Sequence, residues 1–251
     1  MSFSFKQEIM VTKTAIVTGG TKGIGKGICK LLLSKGYTVF TNYSTDDLAA
    51  QSMIQDNKKY GNRLTIIKAS QSNYTSFLTF IERIKQKTDH IDCIVCNSGA
   101  TVRKPVQEID NGEWEYVMNV TLNSHFYLIR DLFDRINPNS RILFIGSLMG
   151  IHPHATSVAY GVSKAALHAL AKNLVKDFAH TGTTVNVIAP GFVETDWQTN
   201  KPEEIRQNIY SKTANGRFAT IQEITSALDL CLNNEFINGS ILEISGGYSY
   251  K

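Results

Sequence analysis

Thr14-Ala15-Ile16-Val17-Thr18-Gly19-Gly20-Thr21-Lys22-Gly23-Ile24-Gly25 is the stretch that decides the fold. Its first five residues are apolar or β-branched and read as a short buried strand, Thr14–Thr18. A glycine-rich turn follows, and then a helical pattern over Gly23–Ser34. Glycines at 19, 23 and 25 permit a tight turn. They also let the main chain approach a pyrophosphate at a helix N-terminus, where unpaired N–H groups and the helix dipole favour an anion. A glycine string alone is a weak signal; between a first strand and a first helix it points to a bound dinucleotide.

The same alternation runs to the C-terminus. Tyr37–Thr41, Leu64–Lys68, Ile91–Cys96, Arg141–Ile145, Thr184–Ala189 and Ser240–Ile244 read as further strands, bounded by Gly, Asn or Pro. Helical patterns lie between them at Asp46–Lys59, Tyr74–Lys87, Asn111–Ile136, Ala159–Ala179 and Ile221–Leu232. Continuously apolar strands separated by helices require a parallel sheet covered on both faces, and right-handed crossovers make it doubly wound. The expectation is an α/β protein with a seven-stranded parallel sheet. One domain spans 1–251, with a cofactor half near 12–100 and a catalytic and substrate half near 101–251. The polar stretch from Thr195 to Arg217 follows a strand end and contains Pro202, so a lid near 193–217 is expected.

At 251 residues, 42% of them hydrophobic, the chain can bury one sizeable core. Its net charge of +4 is spread out, with no dense Lys/Arg run to bind nucleic acid or a membrane surface. Met1–Met10 is polar and lacks the apolar centre of a signal peptide, and no later run approaches a bilayer-spanning length. A cytoplasmic protein is expected. Cys93 and Cys96 form a Cys-x-x-Cys within a strand, where positions three apart face opposite ways. With Cys29 and Cys231 they read as core packing, and no metal site is expected.

Cofactor choice depends on the end of the second strand. A carboxylate there accepts ribose hydroxyls and repels a 2′-phosphate. The chain reads Phe40-Thr41-Asn42-Tyr43-Ser44-Thr45, with no acid before Asp46. Lys22 in the glycine loop supplies a cation, and Ser44 and Thr45 supply hydroxyls. NADP(H) is therefore expected over NAD(H).

Ser147 follows the Arg141–Ile145 strand, Tyr160 lies thirteen residues later, and Lys164 is one helical turn beyond it. A free tyrosine titrates near 10, too high for proton exchange at neutral pH. A lysine ammonium one turn away and the positive nicotinamide of the oxidised cofactor are expected to lower that value. The serine hydroxyl is expected to hold the substrate carbonyl oxygen.

With these motifs in this order, the chain resembles the short-chain dehydrogenase/reductase family along nearly its whole length. Cys96-Asn97-Ser98-Gly99 is similar to the family's Asn-Asn-Ala-Gly, Trp114–Phe126 to its Trp-to-Asn-Leu helix, and Pro190–Asp196 to its Pro-Gly segment; Gly239 and Gly246-Gly247 match its last strand and exit. The resemblance implies a Rossmann-like fold and hydride transfer between a carbonyl and an alcohol. It also implies a homotetramer, or a dimer, built on the helix carrying Tyr160. It places the cofactor against Gly19, Thr21, Lys22, Gly23, Ile24, Gly25, Asn42, Tyr43, Ser44, Ser70, Asn97, Ser98 and Gly99, then Tyr160, Lys164, Pro190, Gly191, Val193 and Thr195. Within the family the pattern is most similar to 3-oxoacyl-[acyl-carrier-protein] reductases, through Asn186–Asp196.

Several positions depart from the family pattern. Its catalytic Asn is replaced by Thr121, leaving a main-chain carbonyl to anchor a water toward Lys164 and a hydroxyl to accept or donate. Ser70 replaces the acid that contacts adenine, Cys96 the first Asn of the strand-four motif, and Thr181 an arginine that meets an acidic carrier protein. Asp131 and Asp134 oppose an acidic partner, while Arg103, Lys104 and Lys172 favour one. The leading expectation is NADPH-dependent reduction of a 3-oxoacyl thioester for lipid or polyketide synthesis. The alternatives are another ketone, a sugar or a ring system, or a weakly catalytic NADP-binding protein. His152 and His154 stand near the substrate mouth as candidates for contact with a polar substrate.

Overall fold

The computed structural model describes residues 12–248 and Tyr250; the reading of Met1–Met10 lies outside them. The elements run β1 (Thr14–Val17), α1 (Gly23–Ser34), β2 (Thr38–Tyr43), α2 (Asp47–Asp56), β3 (Leu64–Lys68), α3 (Tyr74–Lys85) and β4 (Ile91–Cys96). They continue with α4 (Asn111–Met118), α5 (Ser124–Asp131), β5 (Ile136–Ile145), α6 (Val158–Asp177), β6 (Thr184–Pro190), α7 (Asp196–Thr199), α8 (Glu203–Lys212), α9 (Ile221–Asn233) and β7 (Ile241–Ile244). The strands form one seven-stranded sheet, order β3-β2-β1-β4-β5-β6-β7. Every adjacent pair is parallel. Strand order reverses between β1 and β4, which opens a crevice at the carboxyl ends of the strands.

Each face of the sheet has its own core. Phe77, Phe80 and Ile84 of α3, Leu128 of α5 and Leu167 of α6 pack on Ile16, Ile94 and Phe144. Ile28 and Leu32 of α1 and Ile224 and Leu228 of α9 pack on Ala15, Val17 and Val95 from the other side. Neighbouring strand residues thus enter different cores, which is why the strands read as continuous apolar runs. Cys93 and Cys96 fall into opposite cores, and burial raises both thiols, Cys93 to about 12. Among the described residues no helix is long and apolar enough to cross a membrane.

Two segments differ from the sequence expectation. The helix expected over Asn111–Ile136 is interrupted by a π-helical turn, Asn119–Asn123, and ends at Asp131. β5 then begins at Ile136 and carries Pro138 as far as a register shift against β4 between Ile91 and Cys93. Proline cannot continue a helix, so the chain turns out before it. The polar stretch after β6, to which the sequence reading assigns no helix, folds into α7 and α8, with Pro202 just ahead of α8.

Candidate active site

A cleft of about 390 Å³ crosses the carboxyl ends of β1, β2, β4, β5 and β6. All the residues assigned above to the cofactor line it, as do Ser147, Tyr160 and Lys164; Thr121 does not. No side chain caps the N-terminus of α1, so its first N–H groups remain available to an anion. Gly19 and Gly23 have positive φ, +63° and +50°. A Cβ on Gly25 would lie 2.3 Å from the Gly19 carbonyl oxygen and 2.6 Å from Asn97 Nδ2, so only glycine lets the loop close. Gly23 faces Thr195 across the cleft, bringing the glycine loop against the Pro190–Thr195 segment. These features fit a dinucleotide.

At the β2 end, Lys22 Nζ donates to Asp46 Oδ2 at 2.8 Å. Lys22 holds the Asp46 carboxyl below its usual range, while Asp46 also caps α2 by accepting from Ala49 N. The acid that the sequence reading set beyond the strand therefore lines the same cleft as the lysine. Asn42 is a brace: its Oδ1 accepts from Gly19 N and its Nδ2 donates to Ala69 O and Gln71 Oε1. Tyr43 donates to Asp47, and Ser70 to Ser72. Ser44 is exposed at the rim.

Ser147 follows β5 with extended φ/ψ and caps a short turn, its Oγ accepting from Met149 N at 3.1 Å. Tyr160 lies in the first turn of α6, and Lys164 one turn later is buried. Lys164 Nζ donates to Ile145 O at 2.6 Å and stands 5.7 Å from the Tyr160 ring centroid. The expected depression of the Tyr160 hydroxyl is not what the protein alone produces. Burial raises it above the ordinary tyrosine value, opposed by the Ser147 hydroxyl and the Arg103 charge. Burial also lowers Lys164 to about 7, which weakens it as a fixed positive charge near neutral pH.

Thr121 sits in the π-helical turn with its side chain fully buried. Its hydroxyl accepts from Ala100 N at 3.0 Å and reaches Ala100 O at 3.4 Å. Its carbonyl, expected to anchor a water toward Lys164, meets His125 Nδ1 at 3.0 Å. The tautomer follows from Thr18, whose Oγ1 accepts from Asn97 N at 2.9 Å and Ser98 N at 3.0 Å. Both lone pairs are thus used, so the Thr18 hydroxyl proton goes to His125 Nε2, 3.1 Å away. His125 is therefore neutral, and its Nδ1–H donates to Thr121 O. Burial lowers its pKa to about 3, consistent with that state. The sequence reading passed over His125; the available signal was its spacing of four residues from Thr121.

Beyond the cleft is a smaller compartment of about 70 Å³, lined by Arg103, Met149, His154, Phe192, Trp197 and Gln198 together with Ser147 and Tyr160. Trp197 meets Tyr160 edge-on, with 6.4 Å between ring centroids. His154 stacks beside Phe192 and Tyr248 and lies 3.4 Å from the Tyr248 hydroxyl. His152 does not line the compartment and stands 3.8 Å from Glu243. Lys104 is ion-paired with Glu113, which withdraws it from the basic contacts expected for a carrier protein. No cluster of metal-ligating side chains occurs among the described residues.

The short chain dehydrogenase family pattern matches residues 13–206. The chain belongs to the short-chain dehydrogenase/reductase family. It is 31% identical over 254 residues to the hydroxynaphthalene reductase-like protein Arp2 of Metarhizium majus, covering 94% of each chain. It is 30% identical over 242 residues to the acetoacetyl-CoA reductase of Allochromatium vinosum, covering 94% of this chain and 98% of that one. The Pseudomonas aeruginosa RhlG/NADP active-site complex superposes with a TM-score of 0.86 at 26% identity, covering 96% and 97%. The protein is thus an oxidoreductase of this family acting on the alcohol/carbonyl pair with a nicotinamide cofactor. These relatives differ in the substrates their names carry, and they do not single out 3-oxoacyl-carrier-protein reductases.

Proposed function

We propose that this protein uses NADPH to reduce a carbonyl to an alcohol, with a short 3-oxoacyl thioester as the leading substrate. The observation that carries the reading is the convergence of Ser147, Tyr160 and Lys164 at one end of a cleft whose other end holds Lys22. The RhlG complex with NADP supports the cofactor, and the acetoacetyl-CoA reductase supports the substrate. The bound nicotinamide supplies the hydride. Ser147 Oγ and the Tyr160 hydroxyl hold the carbonyl oxygen, and Tyr160 gives it a proton as negative charge develops there. Lys164, held by the Ile145 carbonyl 5.7 Å from the Tyr160 ring, favours the phenolate when it carries its proton. Trp197 and Phe192 shield the reacting carbon from water.

A reduced aromatic ring ketone is the second reading, favoured by those aromatic walls and by the hydroxynaphthalene reductase-like relative. The exposed Trp114, Tyr116, Phe126, Val158 and Val162 on α4, α5 and α6 support assembly as a homotetramer on these helices. NADPH oxidation with acetoacetyl-CoA, ring ketones and simple ketones tests the proposal. Tyr160→Phe should bind NADPH normally and lose about a hundredfold or more in kcat. Undiminished turnover by that variant refutes the mechanism. Tight NADPH binding with no turnover of any carbonyl leaves only a weakly catalytic binding protein.

A further inference from the structure

The small compartment has a charge pattern that carbonyl reduction alone does not require. Arg103 lines it on the side away from the cofactor cleft, and no carboxylate lines it at all. Among the described residues the exposed Arg103 makes no ion pair, nor do the half-buried Lys201 and the exposed Lys212, which do not line the compartment. The other nearby cations are neutralised, Arg206 by Glu194 and Lys104 by Glu113. Burial lowers the pKa of Lys201, and the Arg103 and Arg206 charges add to that in smaller measure. Arg103 and Lys212 act likewise on His154, behind the burial that dominates there. Asp196 lines the cofactor cleft and not this compartment.

An unpaired cation on the wall of a compartment that holds no carboxylate favours an anion there. Gln198 lines both this compartment and the cofactor cleft. The Gln198 side chain is buried and its Oε1 has no hydrogen-bond partner, although a buried polar atom is costly to leave unpaired. Leu148, Met149, Phe192 and Trp197 give it apolar walls beside Thr101, Ser147, His154 and Tyr160. The space is about 70 Å³, enough for a short substituent only.

Resting on the reading that this chain reduces a carbonyl, and replacing the short thioester as its leading substrate, we propose that the substrate carries an oxyanion within a few bonds of that carbonyl, held by Arg103. The guanidinium fork matches a carboxylate or phosphate with two parallel hydrogen bonds. The distance is set by Arg103 sharing one small compartment with Tyr160 and Ser147. A phosphate at the far end of a long carrier arm would not lie there.

Matched substrates test this with the full chain and NADPH. Acetoacetate against methyl acetoacetate reads a nearby carboxylate, and dihydroxyacetone phosphate against dihydroxyacetone reads a nearby phosphate. Acetoacetyl-CoA against the N-acetylcysteamine thioester reads the remote phosphates of a carrier. In the wild type, kcat/KM should favour the anionic member of one of the first two pairs by about tenfold or more. In Arg103→Gln that ratio should fall to near 1, and comparing ratios cancels any change in Tyr160 caused by losing the Arg103 charge. Three outcomes overturn the proposal: neutral members reduced as well as anionic ones, a preference that survives Arg103→Gln, or an Arg103-dependent preference confined to the CoA pair. Reduction of neutral ketones alone would leave the carbonyl reductase standing and remove only the anion site. Failure to reduce any carbonyl would remove both.

Discussion

Replacing His125 with phenylalanine probes the link between the glycine loop and the π-helical turn. The imidazole accepts from Thr18 Oγ1 and donates to the Thr121 carbonyl, at 3.1 and 3.0 Å, from a fully buried position. Phenylalanine fills the site with a somewhat larger ring and leaves both partners unsatisfied. Each buried group without a partner costs about 1–3 kcal/mol, so the variant should lose about 2–6 kcal/mol at pH 7.5. Acid should shrink that difference. The folded-state pKa of His125 is about 3, against an ordinary value of 6.5. Below pH 6.5 the unfolded chain binds a proton that the folded chain refuses, so this part of the wild-type stability is whole above pH 6.5 and drains away toward pH 3. Two pH units below 6.5, the loss is about 3 kcal/mol. Urea denaturation of both proteins at pH 7.5 and 4.5 measures it, and phenylalanine, which does not titrate, is the control. His168 is also held low, at about 4, but is present in both proteins and cancels. A gap that stays constant between the two pH values would refute the neutral bridging imidazole.

Lys164 should act in the opposite region of the pH scale. Its folded value of about 7 lies below the ordinary 10.5, so the cost of burying its ammonium is present below pH 7 and is relieved between 7 and 10.5. The Tm of the wild type relative to Lys164→Met should therefore climb over that interval; a flat difference would contradict the burial argument. At the other end of the cleft, Asp46→Asn keeps a side-chain cap for α2 and frees Lys22. NADPH should then bind several-fold tighter at low salt with NADH little changed, while Lys22→Glu should reverse the preference. Equal shifts for both nucleotides in a binding titration would show that Lys22 does not contact the 2′-phosphate.

The glycine loop, Ser147 and the Tyr160–Lys164 pair were legible because each follows a local rule. A glycine is needed where φ is positive or a Cβ would strike main chain, a strand end presents a serine, and residues four apart share a helix face. The alternation of strands and helices was legible for the same reason, since burial on both faces of a parallel sheet leaves a pattern along the chain. The break at Asn119–Asn123 was not. A π-helical turn shifts the apolar pattern by a single residue, too small an offset to divide Asn111–Ile136 along the sequence.

From sequence alone came the sheet, the cofactor cleft and the identity of the proton-transfer candidates, all set by periodicity and short-range geometry. Tertiary structure alone decided their electrical state. Whether Tyr160 sits high or low depends on how deeply it is buried and on Arg103, 57 positions earlier in the chain. Whether the Thr121 carbonyl is open to a water depends on His125, whose own proton is assigned by Thr18 on a distant strand end. Whether Lys22 offers a free charge depends on Asp46 lying across the cleft. Desolvation and Coulomb interactions follow distance in space, and a sequence does not display that distance.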